Sequence, residues 1–193
     1  DDIEYIFIDD CTKDNSIGVL YEVLEQYPQR KKQVQIVKLP INSGQAAARK
    51  RGMKLATGDY VIHCDGDDWV DVEAYDKMWR KAVETNSDIV FCEFYTTDGD
   101  NYSHIHNKLD ALNKENILLM IVSRMLWSLC GGLVRRSIIS NNQIIYPTAN
   151  NGEDFAIMIQ QIYYAQRFAY IGEPLYYYYA VSYTHLTLPT ICS

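Results

Sequence analysis

Val61-Ile62-His63-Cys64-Asp65-Gly66-Asp67-Asp68-Trp69 is a short apolar run that ends in three carboxylates within four residues. A strand inside a core can run into acids like this only where its end meets solvent or a cation. Hard divalent ions such as Mg²⁺ and Mn²⁺ take oxygen ligands, often one or two carboxylates completed by phosphates. The two-residue period of a strand sends Asp65 and Asp67 to the same side. Aspartate also caps helices, but Asp71 already stands before the helical run 72–85. The three upstream acids therefore point to metal and phosphate chemistry.

Moving outward, Tyr60 to Cys64 reads as a strand entering the acidic tip. Upstream, Ile3, Tyr5, Ile6, Phe7 and Ile8 form a β-rich run that ends at Asp9-Asp10. Its near-continuous apolarity implies burial on both faces, as in a parallel sheet covered by helices. Asn15-Ser16 opens a helix with Ile17, Leu20, Val23, Leu24 and Tyr27 at helical spacing. Val34 to Leu39 is a second strand, and Asn42-Ser43-Gly44 opens a small-faced helix that Gly58 closes. Downstream, Ile89 to Tyr95 is another strand, Thr96 to Lys108 a polar loop, and Glu115 to Leu126 a helix. Leu133-Val134 is a short strand. Gly152 to Gln166 is a helix with Phe155, Ile159, Ile162 and Tyr163 inward. Tyr170-Ile171 and Leu175 to Tyr179 are closing strands, the tyrosine run being a half-buried edge. Alternating strands and helices predict an α/β fold with a mostly parallel central sheet flanked by helices. Ligands in such sheets bind beyond the carboxyl ends of the strands, and Asp9-Asp10 and Asp67-Asp68 fall at two such ends.

The 193 residues fit one domain with a real core, and 48% of them are apolar. A net charge of −7 argues against nucleic-acid binding. Five cysteines lie far apart without CxxC spacing, which argues against zinc. Cys64 and Cys92 sit in apolar runs and read as reduced core thiols, pointing to a cytoplasmic setting. No run approaches the length of a membrane span, leaving peripheral association at the inner face of a membrane as the form of membrane contact. His63, His104, His106 and His185 form no ligand-like spacing. Residues 182–193 show neither alternation nor helical period and are expected to be a non-native or disordered tail.

Four segments in order resemble the family 2 inverting glycosyltransferases of the GT-A fold. Ile8-Asp9-Asp10-Cys11-Thr12-Lys13-Asp14-Asn15-Ser16 is similar to that family's V-D-D-x-S-x-D-x-[ST] segment, with Cys-Thr where Gly-Ser is usual. Asn42-Ser43-Gly44 through Ala48-Arg49 resembles N-x-G-x-x-x-A-R-N, with Lys50 at the final position. Cys64-Asp65-Gly66-Asp67-Asp68 resembles the L-D-x-D-D metal motif, and Gly152-Glu153-Asp154 the later E-D pair. The family's first strand and helix, with its P-x-Y-N segment, are absent. The expectation is one Rossmann-like GT-A domain over residues 1–181 lacking those two elements, and with weakened or no activity on its own.

The resemblance implies a nucleotide-diphosphate sugar donor, most simply a UDP-sugar, and a saccharide or lipid-linked acceptor in surface polysaccharide synthesis. Mn²⁺ or Mg²⁺ would be held by Asp67, with Asp65 and Asp68 beside it. Donor contacts are implied for Asp9, Asp10, Asn42, Gly44, Arg49 and Asp65. Inversion needs a single base, assigned to Asp154 with Glu153 as its alternate; the helix start there favours an ionised carboxylate. Trp127 is the candidate acceptor-side aromatic. Two alternatives stay open: a non-catalytic nucleotide-sugar-binding domain, and a nucleotidyltransferase. The latter usually carries a Gly-rich phosphate loop, which residues 1–45 lack.

Overall fold

The computed structural model describes residues 2–106, 112–124, 128–148 and 152–180. In chain order the first half contains β1 (Tyr5–Asp9), α1 (Ser16–Gln26), β2 (Val34–Lys38) and α2 (Gln45–Leu55). It continues with β3 (Tyr60–Val61), β4 (Trp69–Val70) and α3 (Ala74–Thr85). The second half contains β5 (Ile89–Thr97), β6 (Tyr102–Ile105), α4 (Lys114–Arg124) and β7 (Gly132–Arg135). It closes with α5 (Arg136–Ser140), α6 (Glu153–Tyr164) and β8 (Phe168–Tyr179).

Strand β5 organises the core. Its alternating side chains separate two apolar layers, as the two-residue period requires. Val90 and Cys92 pack with Ala74, Met78 and Ala82 of α3. Ile89 packs with Ile117 and Ile121 of α4 and with Ile157, Met158 and Ile162 of α6. Helix α3 buries one stripe at four-residue steps and ends at Asn86, whose left-handed backbone (φ 49°) closes it. Burying each of these large side chains contributes about 1.5–3 kcal/mol.

The sheet is mixed, where the sequence suggested a mostly parallel one. Strands β1 and β2 pair in parallel as a two-stranded sheet of their own. In the six-stranded sheet the order is β3-β7-β5-β8-β4, with β6 also on β5. Only β5–β8 is parallel there; the β3–β7, β5–β7, β5–β6 and β4–β8 pairs are antiparallel. An apolar run reports that both faces are covered, not which way the neighbouring strand points.

Several local expectations change for similar reasons. The polar stretch after Tyr95 is the β5–β6 hairpin rather than a loop. Asp98 accepts the amides of Asp100 and Asn101, and Gly99 (φ 104°) makes the turn. Residues 168–179 form one strand with a register shift opposite Cys92–Phe94, not two. Lying between β5 and β4, β8 is not an edge. The buried face of α6 is Ile157, Met158, Gln161 and Ile162; Tyr163 points out. Strand β1 is only half-buried, with Phe7 exposed. On α1, Ile17, Leu20 and Leu24 are half-buried while Val23 and Tyr27 are exposed. Helix α2 ends at Leu55 and Ala56 caps it, so Gly58 lies beyond the cap. Cys64 is exposed, and Cys92 is the buried thiol expected. His185 and the tail 182–193 lie outside the described residues.

Candidate active site

Helix α2 links the motif segments: the loop before it meets the carboxyl end of β1, and its Arg49 reaches the acidic tip after β3 and the start of α6. At the first, Asp10 reaches across from β1 to the loop before α2. Its two oxygens accept the amides of Ser43 and Gly44, both at 2.7 Å. Asn42 Nδ2 donates back to the Asp10 carbonyl at 2.9 Å. Gly44 sits at φ 84°, where a side chain would be strained, so its amide can turn to Asp10 before the helix begins. Asp9 is buried, accepts the Thr12 amide at 2.7 Å and lies 3.8 Å from Lys38 Nζ. Both carboxylates expected to meet the donor are thus first engaged by their own chain. Each oxygen keeps a lone pair for a ligand.

Arg49 is the centre of the site. It is 8% exposed, on the inward face of α2 one turn after Ala46. Its guanidinium forks onto Asp65, with Nη2 at 3.0 and 3.2 Å from the two oxygens. Nη1 lies 3.3 Å from Glu153 Oε1 and 2.5 Å from Asp154 Oδ1, the latter out of hydrogen-bond alignment. Burial opposes its charge, but Asp65, Asp154 and Glu153 outweigh that and hold the pKa above its ordinary value. One buried cation therefore ties the acidic tip of β3 to the first turn of α6.

At the tip, Asp65 and Asp68 come together with Cys130, their ligand atoms within 4.8 Å of one another. The Tyr176 hydroxyl donates to Asp68 at 2.5 Å and accepts the Asp65 amide at 3.3 Å. The Tyr179 amide donates to the other Asp68 oxygen at 2.8 Å. Burial pushes the Asp68 carboxyl up despite these donors. Asp67 is exposed and makes no hydrogen bond or ion pair with the described residues. Burial pushes the Cys130 thiol to about 12, and the oxygen donors of the group are the Asp65 and Asp68 carboxylates. Hard divalent ions fit such a set. Asp71 does not take the capping role read for it: α3 begins at Ala74 with Glu73 as its N-cap and no side-chain cap bond, and Asp71 accepts the Glu73 amide at 2.9 Å in the turn before it.

Asp154 follows Gly152, whose φ of 78° turns the chain into α6. Its Oδ2 accepts the Leu129 amide at 3.4 Å. Burial raises its pKa to about 6, against the lowering influence of Arg49. It is thus ionised at neutral pH, but through a balance that burial nearly tips. Glu153 is buried behind it. His63, beside Arg49, is held neutral by burial, with its pKa down to about 4. Trp127 lies outside the described residues. A cavity of about 550 Å³ lined by Asp59, Tyr60, Arg135 and Arg136 lies at the start of β3, not at its acidic end.

A family model for glycosyl transferase family 2 matches residues 1–163. The chain belongs to this family. It is 28% identical over 185 residues to EpsJ, an uncharacterized glycosyltransferase of Bacillus subtilis, covering 92% of this chain and 52% of EpsJ. It is equally identical to YibD of Escherichia coli, covering 92% and 53%. The chain therefore spans about half the length of these curated relatives. Among solved structures it resembles S. aureus TarS 1–349 in complex with UDP-GlcNAc, with a TM-score of 0.74, 21% identity, and coverage of 90% and 48%. The mannosyltransferase PcManGT of Pyrobaculum calidifontis, in complex with GDP-Man and Mn²⁺, gives 0.64 at 14% identity, covering 94% and 49%. These likenesses show a GT-A fold, curled and mixed in its sheet. Among the described residues no helix is long and apolar enough to cross a membrane.

Within this family 2 domain, sequence reading missed Tyr176, which pins both Asp65 and Asp68. A tyrosine among four consecutive ones carries no signal of which hydroxyl turns inward; the strand period alone would have narrowed it to two. It also missed that His104 and His106 do converge, with Glu93.

Proposed function

We infer that the chain is the donor-binding, catalytic part of an inverting glycosyltransferase. It would move a sugar from a nucleoside-diphosphate donor, most simply a UDP-sugar, to a hydroxyl of a saccharide or lipid-linked acceptor. The observation that carries this reading is the Arg49 cluster, which holds the β3 acids and a base-competent carboxylate on one rigid frame.

Asp154 would take the proton from the acceptor hydroxyl as that oxygen attacks the anomeric carbon. With its pKa at about 6, roughly nine-tenths of it is the base form at pH 7, and its basicity is close to ideal for that pH. Arg49 orients it and keeps it ionised. Asp65 and Asp68, whose carboxylates already converge, would hold a divalent cation, and the exposed Asp67, without a hydrogen bond or ion pair among the described residues, would turn in to join them. Such a cation supplies Lewis-acid neutralisation of charge on the departing diphosphate. The latch of Asp10, Asn42 and Gly44 shapes the wall on which the nucleoside would rest. Donor complexes of TarS with UDP-GlcNAc and of PcManGT with GDP-Man and Mn²⁺ support the donor class and the cation. The poly(ribitol-phosphate) beta-glucosyltransferase of Bacillus spizizenii strain W23, 22% identical over 187 residues, supports an acceptor in a surface polymer.

Calorimetric titration of UDP, with and without Mn²⁺, tests this reading. Mn²⁺-dependent binding is expected, and Asp67→Asn should abolish it without loss of fold, since the exposed side chain makes no hydrogen bond or ion pair among the described residues. Equal affinity with and without the ion, or in the variant, would overturn the metal assignment. Binding without any turnover would leave a nucleotide-sugar-binding domain as the better description.

A further inference from the structure

We propose that Glu93, His104 and His106 form a second metal site, for a borderline transition-metal ion such as Zn²⁺, on the β5–β6 hairpin. It stands on a different face of the chemistry from the acidic tip and does not depend on the function proposed above.

The hairpin brings these residues together. Register pairs Tyr95 with His104 and Phe94 with Ile105, so the next step along places Glu93 opposite His106. Alternate residues of a strand share a face, and Glu93, Tyr95, His104 and His106 therefore line one side. Their ligand atoms lie within 4.8 Å of one another. His104 Nε2 is 2.5 Å and His106 Nδ1 is 3.1 Å from the same oxygen, Glu93 Oε2. The two imidazole rings lean together, with centroids 3.7 Å apart.

Three features favour a cation over a simple ion-pair network. First, His104 Nε2 is buried and lies close to Glu93 without hydrogen-bond alignment. A buried ring nitrogen with no aligned hydrogen-bond partner among the described residues is unsatisfied in the chain alone, and coordination to a cation would satisfy it. Second, Glu93 is 4% exposed, and a buried carboxylate is costly unless paired or ligating. Third, the Tyr170 hydroxyl donates to its other oxygen, Oε1. This is the outer-shell arrangement that orients a ligating carboxylate and leaves one oxygen for the ion.

The ligand types choose the metal. Two imidazoles and one carboxylate suit Zn²⁺ and its neighbours, whereas Mg²⁺ and Mn²⁺ prefer oxygens alone. Ligands at about 2.0–2.2 Å in a tetrahedron stand about 3.3 Å apart, so the two nitrogens, at 2.5 and 3.1 Å from Glu93 Oε2, would ease away from it by under about 1 Å. The side chain of His106 is 68% exposed, which leaves the fourth position open to water. The ion would clamp β6 to β5 beside the ring ladder Trp69–Tyr177–Tyr95–His104, which crosses four strands.

The test uses Co²⁺ as a spectroscopic probe on the purified chain after chelator treatment. Four-coordinate Co²⁺ absorbs strongly in the visible, and six-coordinate Co²⁺ on oxygens only weakly, so the hairpin and the acidic tip are distinguishable. One equivalent of the strong band is expected, displaced by Zn²⁺ and retained in Asp67→Asn. His104→Gln with His106→Gln should abolish the band. Tyr170→Phe should weaken Co²⁺ affinity by about 10–100-fold, as loss of an outer-shell partner does. The histidine variants change partly or largely exposed side chains, and unaltered circular dichroism would verify that they fold. No strong band, or a band that survives the double histidine variant, would overturn the site.

Discussion

Replacing Arg49 with methionine should move the acidic limb of the turnover profile upward and lower stability. The guanidinium lies 2.5 Å from Asp154, 3.3 Å from Glu153 and 3.0 Å from Asp65. An opposite charge at such range lowers a carboxyl pKa by about 1–3 units. Without it, the burial that already lifts Asp154 to about 6 acts unopposed. The limb should then rise from about 6 to about 7–9. The base form at pH 7 falls from roughly nine-tenths to about a tenth if the limb reaches about 8, so turnover at pH 7 drops about tenfold by titration alone. Removing one partner of a buried ion pair costs about 3–5 kcal/mol. The lower end applies here, because the Asp65 side chain is 37% exposed and rehydrates, while Glu153 does not. Arg49→Lys retains the charge but not the fork, and should shift the limb less. The assay is kcat for release of UDP from a UDP-sugar across about pH 5 to 9, with urea unfolding as the stability measure. A folded Arg49→Met variant whose limb stays at about 6 would show that Asp154 is not the titrating base.

Asp154→Asn keeps the shape and removes the proton acceptor, so turnover should fall by roughly 10²–10⁴-fold. UDP affinity should barely change, and a parallel loss of affinity would make Asp154 a donor-binding residue instead. Asp88 tests the fold rather than the site. It is buried, accepts the Gln166 and Arg167 amides at 2.9 and 3.0 Å, and pairs with Arg135 and Arg167. Burial opposes its ionisation, but those partners prevail and depress its pKa. A depressed carboxyl contributes stability above its unfolded value, near about 3.9, and loses it as pH falls through the folded value. Asp88→Asn should therefore cost about 3 kcal/mol at neutral pH. The difference from wild type should shrink in acid; a constant difference across pH would refute the linkage.

Much of the acidic site was legible because its residues are close in sequence and local in cause. Asp65, Asp67 and Asp68 announce themselves as an apolar strand running out into carboxylates, and Gly44 and Gly152 mark the turns that aim their neighbours. The helical and strand periods located most elements to within a few residues, and β5 alternates as its sequence suggests. What the sequence could not carry was direction and pairing. Hydrophobic runs are the same whether a strand's neighbour is parallel or antiparallel, so the mixed sheet and the insertion of β7 between β3 and β5 were decided only by packing. Arg49 was readable as a cation of the candidate site. That it would close on Asp65, Glu153 and Asp154 at once depends on α2 and α6 meeting across 104 residues of chain. The same holds for Tyr176 against Asp68, and for Glu93 against His104 and His106. Side-chain chemistry is written in the sequence, but hydrogen bonds and ligation act over about 2–3 Å, and only the folded chain brings distant residues within that range.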